Sequence, residues 1–416
     1  MEKQKCPELR FSQFKDEWYE TTLGDVVDIV GGGTPDTNVP EFWNGDIDWY
    51  SPTEIGENVY ANGSTKKITA LGLKNSSAKI LPAKKTVLFS SRAGIGDMAI
   101  LDKPAATNQG FQSFVANNID VYFLYSMGVK IKKFALSKAS GSTFLEISRN
   151  QLAQMEFLAP SIDSNEQTQI GNFFQKIDQS IALHEKKLVQ TQNLKKAMLE
   201  KMFPKAGSTQ PEIRLKGFSG GWDSYSIFSL AQNQKLNNGV FNDQNKVGKG
   251  YKLINVLDMY IETSIDESKL TLLDLDRKEF EQNKVKYGDI FFTRSSLVKE
   301  GIAFSNVYLG HSNDITYDGH LIKLSPNLEL VDPIFLNYCL KSSKVRTQLI
   351  LGGKSTTMTT IGQQEVGETT VGLPTMSEQL KIGQFFKQLD ETLTLQQQQL
   401  QTLKNLKQAF LEKMFV

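Results

Sequence analysis

Several short segments of this chain carry side chains suited to hydrogen bonding along an extended polar partner. "GGGTPDTN" (Gly31–Asn38) sets Thr34 in a turn-rich loop, and "SSRAGIGD" (Ser90–Asp97) places Ser91 and Arg92 beside glycines. "ATNQGF" (Ala106–Phe111) offers the amides of Asn108 and Gln109 next to an aromatic, and "KASGSTF" (Lys138–Phe144) adds Lys138, Ser142 and Thr143. The second half has its own set: Arg294 and Ser295 after "DIFFT", His320 before "LIKLS", and Lys354, Ser355 and Thr356 in "GGKSTTM". A guanidinium can bond the edge of guanine and a carboxamide that of adenine, while hydroxyls, ammonium groups and backbone N–H suit phosphates. Any one of these segments also has the composition of an ordinary surface connection. Their recurrence at matching places in both halves makes the set a candidate DNA-binding surface.

Reaction chemistry is not evident. The three histidines, His184, His311 and His320, have no partner at metal-ligand spacing, so neither a metal site nor a catalytic residue is expected. "GGKST" (Gly352–Thr356) ends like a phosphate-binding loop, but the position needing the first glycine is Gln348, and the stretch reads as a flexible basic loop. "GIG" (Gly94–Gly96) lacks the third glycine of a dinucleotide fingerprint, and "ESK" (Glu267–Lys269) lacks the upstream partner of a nuclease-like site. Only Cys6 and Cys339 are present, which fits a reducing cytoplasm. No run of about 18 apolar residues could span a membrane, and "MEKQKCPELR" does not read as a signal peptide. With 47 Lys and Arg against 46 Asp and Glu, bulk electrostatics alone would hold DNA weakly.

The elements that must position these residues come from a duplication. Residues 166–203 align without a gap on residues 378–415 at an offset of 212, with 18 of 38 positions identical, both ending "LEKMF". Weaker echoes flank them. "RFSQFKDEW" at Arg10 pairs with "RLKGFSGGW" at Arg214, "VLFSSR" (Val87–Arg92) with "DIFFTR" (Asp289–Arg294), and "GSTFLEIS" (Gly141–Ser148) with "STTMTTIG" (Ser355–Gly362). Both long segments carry an apolar stripe at steps of four and three: Ile170, Phe174, Ile177, Ile181, His184, Leu188, and Ile382, Phe386, Leu389, Leu393, Gln396, Leu400, Leu403. Asp163 and Ser377 are expected caps, and each helix should run roughly 38 residues, or about 57 Å. The stripes can bury each other only if the second helix runs back along the first. His184 and Gln396 would then face each other as a polar layer near a pseudo-two-fold axis, or lie on solvated positions. The expected architecture is mixed α/β: two similar domains (1–162 and 205–376) joined by two antiparallel coiled-coil helices (163–204 and 377–416).

Two divergent polar domains, each followed by a helix that opens "EQxxIGxFF" and ends "LKxAxLEKMF", resemble the specificity subunit of type I restriction-modification systems. The resemblance spans essentially the whole chain, with "GGGTP" (Gly31–Pro35), "GSTFLEIS", and the prolines Pro160 and Pro374 before each "EQ". The second half departs from it, since "AQNQKLNNGVFND" (Ala231–Asp243) stands in place of the Gly-Gly-Thr-Pro loop. The resemblance implies a non-catalytic chain whose two domains each read half of a split, asymmetric target in double-stranded DNA. The helices would act as spacer, bounded at about 17 base pairs, and as docking surface for two methyltransferase subunits. S-adenosylmethionine would belong to those partners, and ATP and Mg to nuclease subunits that join for restriction. The other class open to the sequence is a structural coiled-coil scaffold that does not bind DNA.

Overall fold

The computed structural model describes residues 6–92, 94–141, 145–355 and 357–416. The chain divides into two compact units, Met1–Glu185 with Gln399–Val416, and Lys186–Gln398. Each unit therefore contains one globular domain, the start of the long helix that follows it, and the end of the other long helix.

In the first unit a five-stranded sheet runs in the order Val27–Gly31, Gln112–Ala116, Thr86–Phe89, Met98–Leu101, Tyr60–Ala61. Thr86–Phe89 and Met98–Leu101 are buried at every residue, as expected of short apolar runs covered on both faces. A second sheet centres on Trp43–Tyr50, antiparallel to Lys66–Ile68 and parallel to Ala106–Thr107. The domain is closed by Tyr19–Thr22 against Glu156–Ala159.

The second unit repeats this plan. Asn237–Asn238, Leu321–Leu324, Ile290–Thr293 and Ser305–Val307 form one sheet, and Val247–Ile254 pairs antiparallel with Thr271–Leu273 and parallel with Ile315–Tyr317. Asp223–Ser226 against Thr370–Leu373 is the closing pair. Even the bulge recurs: Trp43 and Ile47 both oppose Ile68, and Val247 and Tyr251 both oppose Leu273. Each bulge needs a glycine, because a Cβ on Gly45 would lie 2.5 Å from the Ile68 carbonyl oxygen, and one on Gly250 2.3 Å from that of Leu273. The stretch "VDPIFLNYCLKSSKVRTQLI" forms two helices, Pro333–Lys341 and Ser343–Gly352, because Ser342 is extended.

The long helices cover Glu166–Lys201 and Met376–Lys413. Ser377 therefore falls inside the first turn rather than capping it. Asp163 lies in a short 3-10 turn, and Asn165 in the left-handed region is the last residue before the first helix. Within each unit the helix segments run antiparallel. In the first unit Phe174 meets Phe415 while Lys407 bonds Asp178, and in the second Phe203 meets Phe386 while Lys195 bonds Asp390. No stripe position is exposed: Ile170, Phe174, Ile382, Phe386 and Leu393 are buried and the rest half-buried.

The "EQ" openings are explained by their bonds. Glu166 takes a bidentate pair from Arg10 at 2.6 and 2.7 Å, and Glu378 one from Arg214 at 2.8 and 2.8 Å. Gln167 accepts from the Asp120 backbone N–H and donates to the Pro160 carbonyl; Gln379 does the same with Asp332 and Pro374. The "MF" endings are core residues: Met202 and Phe203 pack in the second unit's core, and Met414 and Phe415 in the first's. They are closed to any partner.

Candidate nucleic-acid interface

In each unit part of the candidate set lies where the two sheets meet: Thr34, Ser91, Asn108 and Gln109 in the first, Arg294 and His320 in the second. In the first, Gly32 lies so close to the strand Ala106–Thr107 that a Cβ would stand 2.0 Å from the Asn108 carbonyl oxygen. That approach, with Gly33 N–H donating to the Thr107 carbonyl at 2.8 Å, carries the chain into Thr34, whose hydroxyl donates to Gln109 Oε1. Asn108 Oδ1 accepts from the Gly110 backbone at 2.8 Å, Asn108 is half-buried and Gln109 is exposed. Ser91 N–H donates to the Gly110 carbonyl and its own carbonyl accepts from Ile147 N–H. Thr34, Ser91, Asn108 and Gln109 are thus neighbours, although the Ser91 side chain is fully buried. Arg92 is exposed and paired with Glu146 at 2.8 Å. Lys138 ends the helix Gly128–Lys138 and is exposed.

The second unit builds the same junction from other side chains. A Cβ on Gly239 would stand 2.0 Å from the Tyr317 carbonyl oxygen, and Val240 N–H donates to that carbonyl at 2.9 Å. "NGVFN" (Asn238–Asn242) is therefore the structural counterpart of "GGGTP", with Gly239 in the place of Gly32 and Phe241 where the first unit has Thr34. Arg294 N–H donates to the His320 carbonyl, and its guanidinium to the Gly319 carbonyl at 3.0 Å. His320 is exposed, with Nδ1 2.7 Å from Asp318 Oδ1. Ser295 pairs with Thr360 and Lys354 with the same residue, so Lys354–Ser355 is a strand of a small sheet and not a loop. Lys354 also bonds Glu365 at 2.7 Å. Beneath this surface, burial pushes the Asp289 carboxyl up and the Lys323 ammonium down, although the two stand 3.6 Å apart.

The backbone bonds correct one pairing read from the sequence. Ser91 donates to Gly110, beside the Ser90–Phe111 bridge, and Arg294 to His320, beside the Thr293–Leu321 pair; the two accept from Ile147 and Ile361 respectively, so Arg294 is in register with Ser91, and Arg92 with Ser295. The one-residue shift matters because neighbouring side chains in extended backbone point to opposite faces. Ser142, Thr143 and Thr356 lie outside the described residues. Of the two helix residues, His184 Nδ1 is 2.8 Å from its own helix's Ser180 carbonyl, and Gln396 is half-buried.

The profile of the type I restriction modification DNA specificity domain matches residues 15–193 and again 221–405, one match per domain and most of the chain. The chain belongs to the type I restriction-modification specificity family. Like the fold, the match is double. The MjaIX specificity subunit of Methanocaldococcus jannaschii is 25% identical over 96% of this chain and 92% of its own length. The EcoR124I/EcoR124II specificity subunit of Escherichia coli is 33% identical over 41% of this chain. Among solved structures, the S subunit of a type I restriction-modification system from M. genitalium is similar over 99% of both chains, with a TM-score of 0.59 at 15% identity. A chain from a study of type I complex assembly and conformational transition is similar over 97% of this chain with a TM-score of 0.57. Membership makes this a DNA target-recognition subunit of a type I system, generally a non-catalytic role. Among the described residues no helix is long and apolar enough to cross a membrane.

Residues missed by the sequence reading include Phe241, Asn242 and Asp318. The cue for them was "NNG", whose glycine marks the same close approach that the glycines of "GGGTP" mark.

Proposed function

We propose that the two units read different halves of an asymmetric bipartite DNA target, each through the junction between its two sheets. The observation that carries this is one framework holding two side-chain sets: Thr34, Asn108 and Gln109 in one unit occupy the positions of Phe241, Asp318 and Gly319 in the other, with Arg294 and His320 alongside. Equal scaffolds with unequal readers suit two unequal half-sites. The long helices set the separation of the half-sites. They also dock two methyltransferase subunits, a role supported by exposed leucines that recur 212 residues apart: Leu183 (50%) with Leu395 (58%), and Leu194 with Leu406, both 46%. Chemistry and cofactors, S-adenosylmethionine for methylation and ATP with Mg for nuclease subunits, then belong to the partners, which also share the phosphate contacts that a nearly neutral chain lacks.

Selection from random-sequence duplexes by the full chain together with its methyltransferase subunits tests this reading. Enrichment of two short, unequal sequence blocks at a fixed separation is expected. A single continuous or palindromic motif, or no enrichment, overturns it.

A further inference from the structure

The side chain of Phe241 is 79% exposed, yet its own carbonyl accepts from Asp243 N–H at 3.1 Å and the residues on either side of it are bonded. Val240 on one side is buried, donates to the Tyr317 carbonyl at 2.9 Å and accepts from Gly319 N–H at 2.7 Å. Asn242 on the other side donates to Asn255 Oδ1 at 2.9 Å and Asp318 Oδ2 at 3.0 Å, and Asp243 Oδ1 accepts from Asn245 N–H at 3.0 Å. The ring is thus held outward by bonded neighbours on both sides, with nothing of its own unit to bury it. A phenylalanine side chain offers on the order of 150–250 Å² for burial, and leaving it in water forgoes that gain.

We propose that Phe241 is a specificity-determining residue of the second unit, its ring making an apolar contact with a base of that unit's half-site. This rests on the DNA-reading role assigned above and goes beyond the hydrogen-bonding residues that motivated it. The group contacted is either the 5-methyl of a thymine, which projects into the major groove, or the face of an unstacked base. The surroundings suit a base rather than water alone: Asn242 shares Asp318 with His320, and the Arg294 guanidinium is fixed on the adjoining Gly319, so donors for a base edge or phosphate stand beside the ring. The first unit, with Thr34 in this place, would read its half-site there by hydrogen bonding.

The test uses the full chain with its methyltransferase subunits and the duplex that wild type selects. Phe241→Ala, an exposed substitution that spares the core, is expected to weaken specific binding roughly five- to a hundredfold. Scrambling the second half-site should abolish the difference between variant and wild type, and scrambling the first should not. Replacing thymines of the second half-site one at a time by deoxyuridine separates the two contacts. If wild type falls to the level of the variant at one position, the methyl is the contact; if no position matters but an abasic substitution does, the base face is. Unchanged binding by Phe241→Ala overturns the inference while leaving the half-site reading intact. So does a loss traced to weaker association with the protein subunits or to an altered oligomeric state. A wild type without sequence preference overturns both together.

Discussion

Phe203→Ala is expected to destabilise the second unit by about 3–5 kcal/mol, the range for truncating a buried aromatic. Phe203 is 2% exposed and its ring is 5.7 Å from Phe335, 5.8 Å from Phe386 and 6.0 Å from Trp222. It therefore joins three parts of the unit: the end of the first long helix, the start of the second, and the globular domain. Truncation leaves a cavity between elements that are far apart in sequence. Phe415→Ala is the matching change in the first unit, where that ring lies 5.1 Å from Phe123 and 5.9 Å from Phe174. Peptide-resolved hydrogen exchange would check this: each variant should raise exchange in its own unit and leave the other unchanged. Equal effects of either variant on both units would contradict the separate cores.

Lys195→Ala is expected to be about as damaging, for an electrostatic reason. Lys195 lies 2.6 Å from Asp390, a carboxylate 4% exposed that also accepts from Tyr338 at 2.5 Å. Burial lowers the ammonium's pKa, but the bonds to Asp390 and Glu262 outweigh it and raise the pKa above 10.5. Removing Lys195 strands the buried carboxylate, a change that costs about 3–5 kcal/mol. Glu262 adds little, since its side chain is 79% exposed. Because the folded pKa exceeds the unfolded one, the contribution is fully present below the ordinary lysine value and is lost as pH rises through the folded value. Urea unfolding should thus show a constant gap between wild type and Lys195→Ala at neutral pH that narrows only under strongly alkaline conditions. A gap that closes by pH 8 would contradict this. Lys407 and Asp178 repeat the pair in the first unit, with Lys407 more open at 25%, so Lys407→Ala should cost less.

The legible parts of this molecule were those governed by local periodicity and by repetition. The four-three spacing from Ile170 and Ile382 gave the long helices and their buried faces, and the offset of 212 gave the duplicated plan. Strand pairing was less legible, because register is fixed by backbone bonds such as Ser91 to Gly110 and Arg294 to His320, which leave no mark in side-chain type. Hence "VLFSSR" and "DIFFTR" aligned one residue out of step. The doubled "LEKMF" announced the repeat but not its cause, since Met-Phe at a helix end carries no mark of burial, and the contacts with Trp222 and Phe123 show it to be core. At the candidate interface, polar residues in Gly-rich loops were visible from type alone. Phe241 was not, because an aromatic is ordinarily taken for core, and its exposure follows from the bonds of Val240 and Asn242.

The assignment of two readers to one spacer is tested most directly by shortening that spacer. Deleting the same seven positions from both long helices, residues 184–190 and 396–402, removes about 10 Å of helix, or about three base pairs of DNA. Methylated bases would then be mapped across the genome of cells carrying the intact or the shortened chain with its methyltransferase subunits. The expected result is the same two half-site sequences brought about three base pairs closer, or loss of modification at the original target. Modification of the original target at its original separation would contradict the role given to the helices.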